Sequence, residues 1–568
     1  MIRSTFPFRL LVGLLLASLL AAPDTVRAQT SDTTAHTLQS IHASNTFQPA
    51  SFRGGRWAEE GPVVTFIEQA EDGDATHLMS YNLETDERTR LIDGTNLYAE
   101  DVDRLIAIEG YQYSADESKV LIYTDSERVW RYKTKGYYYV YNLDDQSLTP
   151  IAPRDAGFQM FAKFDPAGDR VAFVRNRNLF VVDLTTGAET ALTTDGSEGA
   201  IINGTFDWVY EEEFGLRDGF AWSPDGRYIA FYKLDESDTR AFAMTDFRTR
   251  YPTYERFRYP KAGEVNSEIK IGVIDMTQVD AAQDGQPQAI RYFDTQTWDP
   301  GLDPAAEATD PHEYLAHMGW TPGPDGESRV WMFRLNRNQN QLDLLYGNPA
   351  TGGITTVLEE EEETYIDVEG QKLQYLDDGE HFVWMTENPG YMHLHLYRND
   401  GVLVGPITQG EWEVTGFHGI DEESNTAYFT STEASSIERH LYRTEVSFEP
   451  HDTAALPTQI TSATGTHRID MSTDLRYYID THSTVAQPPA TTLHRADGTQ
   501  LAVLESNEAL IDTLARLDVP TPEFTQVPAA DGTPLNAYVI RPSDIDPSQE
   551  HPLLMYVYGG PGAQTVMN

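Results

Sequence analysis

Eight residues, "DWVYEEEF" from Asp207 to Phe214, place three carboxylates in a row behind two aromatic side chains. Like charges this close repel, and neighbouring rings displace the water that would screen them. Asp207 can cap a short helical turn, and Trp208 and Tyr210 can fix that turn against a wall. Carboxylates held together in this way gain from a cation between them and lose without one. Arg, Lys, a metal ion or the ammonium of a ligand would all fit. Metal is the less attractive choice because no His lies beside the run, although oxygen-only calcium sites exist. A second acidic run, "EEEEE" at residues 359–363, lacks the aromatic flanks and reads as a solvated loop or face.

The elements that must position this turn are short. Residues 56–505 carry alternating runs rich in Val, Ile, Tyr and Phe, bounded by Asp-Gly, Asn and Pro turns. Several runs resemble one another: "FDPAGDRVAFVRNRNLFVVDLTTG" (164–187), "WSPDGRYIAFYKLDES" (222–237), and weaker copies at 113–126, 375–388 and 421–434. The shared unit is an aromatic residue, a turn of Pro, Asp or Gly, and an alternating strand. Repeats of four antiparallel strands, roughly 40–60 residues each, are the signature of a β-propeller. An all-β propeller of seven or eight blades is therefore expected over 56–505. A β-sandwich of unrelated hairpins is the alternative. Beyond residue 505 the composition changes. Residues 509–517 suit a short helix, and 523–542 suit a hairpin around Asp531-Gly532. "HPLLMYVYGGPGAQ" (551–564) suits a buried strand followed by a tight loop. Residues 506–568 thus read as the first strands of an incomplete α/β domain.

Composition narrows the function classes. The 568 residues hold 89 acidic and 41 basic side chains, a formal charge of −48, so binding to nucleic acid phosphates is not expected. Only eight of the basic residues are Lys. Charge of one sign on this scale resembles the solubility device of halophiles, and a high-salt source is expected. There is no Cys, which excludes disulfides, thiolate zinc sites and a Cys nucleophile. Residues 1–28 read as a signal peptide: Arg3 and Arg9, an apolar run over 10–22, and Val26-Arg27-Ala28 as the cleavage site. The run is short for a membrane span, an uncleaved anchor being the alternative. Residues 29–55 follow as a lead-in segment. An exported protein, periplasmic or secreted, with no later span is expected.

The motif "GTFDWVYEEEF" resembles the glutamate motif of the dipeptidyl peptidase IV family, in the prolyl oligopeptidase group of serine peptidases. "VWRYKTKGYYYVYNL" (129–143) is similar to the family segment that carries a substrate-contacting arginine. "YPKAGEVNSEIKIGVID" (259–275) is similar to a propeller segment, and "PLLMYVYGGPGAQ" to the first hydrolase strand and its tyrosine loop. These segments follow the family's order. The resemblance favours eight blades. It implies that Glu212 and Glu213 bind the free N-terminal ammonium of a peptide, with Glu211 supporting them. It implies that Arg131 contacts the glutamate pair and the substrate's carbonyl. It implies that Tyr558 donates to the oxyanion of the tetrahedral intermediate. A peptide with a free N-terminus is the expected partner, with Pro or Ala preferred at its second position. No cofactor or metal is implied, and a homodimer is expected of the complete enzyme.

One departure matters. The family nucleophile sits in a Gly-x-Ser-x-Gly elbow, followed by Asp and His. No such elbow occurs in this sequence, and the family places the whole triad after the tyrosine loop. These residues alone are therefore expected not to hydrolyse peptides. Three other readings remain open: a non-catalytic propeller that binds peptide N-termini or partner proteins, a prolyl tripeptidyl peptidase, and a calcium-binding structural propeller.

Overall fold

The computed structural model describes residues 38–52, 54–71, 73, 75–281, 289–295, 312–368, 372–517, 519–560 and 562–568. The signal-peptide reading of residues 1–28 lies outside the described residues. Among the described residues no helix is long and apolar enough to cross a membrane.

The chain divides into two compact units. The larger comprises Ser51–Thr484, Ala490–Ser506 and Tyr558–Asn568. Among the described residues it contains eight antiparallel sheets of four or five strands in chain order, spanning residues 56–92, 110–150, 160–191, 201–292, 312–361, 373–406, 414–459 and 466–505, the last apart from Val485–Pro489. This is an eight-bladed β-propeller. Seven of the blades run their four strands in simple up-and-down order. Apolar clusters straddle the seams between blades: Leu78 and Ile92 of the first pack with Val120 and Ile122 of the second. The ring closes through side chains. Val64, Phe66 and Tyr81 of the first blade share a cluster with Ile479 and Leu493 of the last. Trp57 Nε1 donates to Asp470 Oδ1 at 2.9 Å across the same seam.

The repeated turn has a local cause. In the blade spanning 201–292, Ser223 Oγ donates to Asp225 Oδ1 at 2.6 Å, and Asp225 accepts from Arg227 N at 3.1 Å. The side chain thereby takes up backbone donors that the bend leaves free. Gly226 then adopts φ 69°, and Gly168 adopts 72° at the matching place one blade earlier. Of the weaker copies, the one at 375–388 keeps glycine there (Gly379, φ 67°), whereas the one at 113–126 puts Glu117 (φ 54°) there, which pays the Cβ penalty that glycine avoids.

The blade at 201–292 departs from the pattern, and its departure builds the site. Ile201–Asn203 and Phe220–Trp222 both pair with Tyr228–Asp235, at Asn203↔Lys233 and Phe220↔Phe231. The first strand of the blade is thus broken, and residues 204–219 fill the break. A second insertion, the hairpin Ala241–Asp246 with Thr253–Arg258, projects between the blade's next two strands.

Two expectations need correction. The acidic run 359–363 is not a uniformly solvated face. Ile354–Glu361 is a strand, so its side chains alternate, and Glu360 is only 3 % exposed. There it meets Lys372 Nζ at 3.0 Å and accepts from Trp384 Nε1 at 2.5 Å. The buried strand expected at 551–564 does not form. Leu553, Leu554, Met555, Tyr556 and Val557 are all exposed, and no strand partner pairs with them among the described residues. An apolar strand is stable only between neighbours that cover both faces. The smaller unit, which holds Val485–Pro489 and Asn507–Val557 with the described residues up to Ala50, does form the helix Glu508–Leu514. It also forms the hairpin Glu523–Pro528 with Pro534–Val539.

Candidate functional site

Trp208–Glu213 forms the single helical turn that the sequence leads one to expect, and Asp207 caps it by accepting from Tyr210 N at 3.0 Å. The other oxygen of Asp207 accepts from Ser267 Oγ at 2.6 Å, which ties the cap to the residue just before the strand Glu268–Asp275 of the same blade. Burial raises the pKa of Asp207, and these hydrogen bonds oppose the rise. Tyr210 is buried between Phe206, at a centroid distance of 5.5 Å, and Phe214, at 5.3 Å. Trp208 packs on Tyr259 at 4.3 Å. Gly215, at φ 65°, ends the turn, and Leu216 N returns to Tyr210 O at 3.0 Å. The turn is fixed at both ends and along one side.

The three carboxylates meet different surroundings. Glu212 accepts a two-point hydrogen bond from Arg131, Nε to Oε2 at 2.7 Å and Nη2 to Oε1. Glu213 is exposed, and its side chain makes no hydrogen bond or ion pair among the described residues. It borders a cavity of about 900 Å³ lined by Trp208, Phe214, Tyr259, Tyr314 and Tyr365. Glu211 is half-buried, with an Oε1 that has no hydrogen-bond partner. Burial raises its pKa, and the charge of Arg217 and the backbone N–H of Arg131 work against the rise. It faces a second cavity of about 600 Å³, which Trp130, Phe158, Phe161 and Arg177 also line.

Arg131 stands at the tip of a hairpin from another blade. The strands Lys119–Arg128 and Lys133–Asn142 carry it outward, and Val129 N bonds Tyr132 O at 3.0 Å to close the tip. Its side chain is 68 % exposed while that of Glu212 is 24 % exposed. The fold therefore brings together Arg131, Glu211, Glu212 and Glu213. It does not bring Tyr558 to them: that residue is exposed in the unpaired segment described above. No cluster of His, Asp and Glu able to hold a metal ion occurs among the described residues.

The sequence profile described as the dipeptidyl peptidase IV (DPP IV) N-terminal region matches residues 114–489. The chain belongs to this family. Its curated relatives include the probable dipeptidyl peptidase 4 of Emericella nidulans, 29 % identical over 476 residues, covering 81 % of this chain and 58 % of that protein. Another is the dipeptidyl peptidase 4 of Trichophyton equinum, 26 % identical over 519 residues, covering 90 % of this chain and 62 % of that protein. Thus the chain spans less than two thirds of the length of these relatives. The crystal structure of Porphyromonas gingivalis dipeptidyl peptidase 4 superposes with a TM-score of 0.80 at 29 % identity, covering 94 % of this chain and 70 % of that one. The fold also matches a putative dipeptidyl aminopeptidase IV of Bacteroides ovatus, with a TM-score of 0.68 at 22 % identity over 91 % of this chain and 68 % of that one. Eight blades, favoured over seven by resemblance, agree with the family.

Two features of the site were not read from the sequence. Arg217, four residues beyond Glu213, lies with its guanidinium carbon 3.7 Å from the centroid of the Tyr132 ring. Lys163 Nζ, on an adjacent blade, donates to both oxygens of Asp218 at 2.6 Å and to Phe220 O at 2.6 Å. The spacing "EEEFGLRD" contains both Arg217 and Asp218, but nothing local to it says that their partners come from other blades.

Proposed function

We propose that this chain is the substrate-recognition propeller of an exported serine exopeptidase that releases N-terminal dipeptides, with Pro or Ala at the second position. The observation that carries the reading is the unequal state of the clamp. Arg131 already occupies Glu212, while Glu213 stands free beside it. An ammonium entering between them donates charge-assisted hydrogen bonds to both carboxylates, and Arg131 keeps donors to spare for a carbonyl of the peptide. A terminus held at a fixed place sets how many residues reach the nucleophile. An acylated N-terminus has no charge to offer and leaves the carboxylates unsatisfied. In the complete enzyme Tyr558 serves as an oxyanion donor, next to a triad supplied by residues outside this sequence. This chain alone is inactive.

The relatives named dipeptidyl peptidase 4 support the activity, and the apolar run at residues 10–22 supports export. Pairing of two copies belongs to the same reading. The hairpin Ala241–Asp246 with Thr253–Arg258 exposes Met244 and Tyr254 on its strands, and Phe247 and Tyr251 at its tip. Sedimentation of the complete protein as a monomer at micromolar concentration would remove that part.

The deciding experiment is Glu213→Gln in the complete protein, assayed on peptides with free and acetylated N-termini, with products identified by mass. Dipeptide release that falls steeply in the variant, and is absent from the acetylated peptide, is expected. Release of tripeptides would move the reading to the tripeptidyl class. Wild-type rates in the variant would remove the clamp. Binding without any cleavage would favour a non-catalytic propeller.

A further inference from the structure

We propose that Arg217 and Tyr132 form a clasp that keeps the Arg131 hairpin closed on the acidic turn while a ligand's ammonium competes for Glu212. The proposal rests on the ammonium clamp proposed above.

Two side-chain contacts of opposite direction join the hairpin to the turn, beside the backbone N–H of Arg131 that faces Glu211. Arg131 of the hairpin reaches Glu212 of the turn. Arg217, just past the turn, reaches back to the ring of Tyr132, the next residue of the hairpin. The first contact is the one that a ligand disturbs. A carboxylate has about four acceptor positions, and an ammonium offers three donors. An ammonium at Glu212 therefore takes lone pairs that the guanidinium was using. Arg131 is mostly exposed, so little else holds its long side chain, and its rotamer entropy favours release. The ring contact uses no carboxylate oxygen, so an arriving ammonium leaves it in place.

The anchor for this contact is stiff. Thr205 Oγ1 donates to Arg217 O at 3.0 Å, and Gly219 N donates to Gly204 O at 3.1 Å, closing the neck of the insertion. Lys163 grips the adjacent Asp218 from another blade. Arg217 thus projects from a loop pinned on both sides, whereas Tyr132 sits at a hairpin tip and is 46 % exposed. The clasp pulls the freer element onto the fixed one. It also bears on the charge of the clamp: Arg131 pairs with Glu212 and the charge of Arg217 acts on Glu211, which leaves the carboxylate of Glu213 for one ammonium.

Kinetics in the complete protein test the clasp, using Xaa-Pro substrates with a free amino group. Tyr132→Leu and Arg217→Met are expected to raise KM about three- to five-fold with kcat unchanged, the scale of an exposed cation–π contact. Tyr132→Phe keeps the ring and is expected to retain the wild-type KM. If Glu213→Gln abolishes turnover while Tyr132→Leu and Arg217→Met keep the wild-type KM, the clasp is wrong and the clamp stands. If Tyr132→Phe is as impaired as Tyr132→Leu, the ring is not the element and the clasp is wrong. If Glu213→Gln is itself unimpaired, the clamp falls and takes the clasp with it.

A second measurement needs no activity. In this chain labelled with ¹⁵N-arginine, the Arg131 Nε–H signal, identified by its loss in Arg131→Lys, should resist exchange with water. Tyr132→Leu should speed that exchange and Tyr132→Phe should not. Equal protection in all three proteins overturns the clasp.

Discussion

Arg131→Met and Glu212→Gln separate a surface salt bridge from a ligand clamp. The Arg131 side chain is 68 % exposed, so the pair resembles a surface ion pair in what it gives the fold. Such pairs contribute about 1 kcal/mol or less. Neither variant strands a fully buried charge: Arg131→Met leaves Glu212 with 24 % of its side chain exposed, and Glu212→Gln leaves a solvated Arg131. Urea unfolding of this chain should therefore change by about 1 kcal/mol or less in either variant. Catalysis should respond more strongly. On the proposed clamp each variant removes a charge-assisted hydrogen bond to the substrate, a loss of about 1.5–3 kcal/mol. At 1.4 kcal/mol per decade, kcat/KM in the complete enzyme should fall about 10- to 100-fold. Glu212→Gln should be the more damaging, because it removes a ligand contact and also releases Arg131. Glu213→Gln should leave stability unchanged or slightly raised, since it deletes a like charge that has no partner in the fold. The refuting pattern is the inverse one. Loss of stability with kcat/KM within two-fold of wild type, about 0.4 kcal/mol, would make the pair structural and end the clamp argument.

Three further outcomes are expected. Lys372→Met should destabilise the chain by about 3–5 kcal/mol, because it strands Glu360 in the core, and adding Glu360→Gln should recover most of the loss; equal urea midpoints for the single and double variants would contradict this. Burial lowers the pKa of the His467 imidazole, but the hydrogen bond and charge of Asp480, 2.7 Å away, overcome burial and leave it raised. That stabilisation is fully present below the ordinary imidazole pKa of about 6.5 and fades as pH climbs through the raised folded value. His467→Gln should thus cost more stability at about pH 6 than at about pH 9, and a cost that grows with pH would refute the pairing. Finally, with a formal charge of −48, the melting temperature should climb with NaCl, and a flat or falling curve would dismiss the halophilic reading.

What could be read from the sequence was what a few neighbouring residues decide. The turn chemistry at Asp225-Gly226 is local, so the propeller was legible from its repeats. The cap at Asp207 and the aromatic wall at Tyr210 are local too, and both stand where the motif implied. Glu360 shows the limit. Its strand runs inside an acidic stretch, and only the approach of Lys372 and Trp384 decides that it is buried. The same holds for Tyr132 with Arg217 and for Lys163 with Asp218, pairs separated by tens of residues and joined by the order of blades. For residues 551–560 the apolar run was legible, but its burial was not, because burial belongs to neighbours that the run itself cannot supply.

On the clamp proposed above, the broken strand explains why the acidic residues, and not the arginine, would set the position of a ligand. Both halves of that strand pair with Tyr228–Asp235, so residues 204–219 enter and leave from one rigid element. Moving the glutamates would cost ladder hydrogen bonds at both ends. Arg131 lies at the free end of two long strands whose pairing is irregular between Thr124 and Arg128. Displacing it costs an exposed ion pair and a ring contact. A site built from a fixed anion and a yielding cation can admit an ammonium first and then close the cation over the next carbonyl. With the roles exchanged, the cation would block the acidic turn in the free protein, and every binding event would have to break a rigid pair before forming a new one.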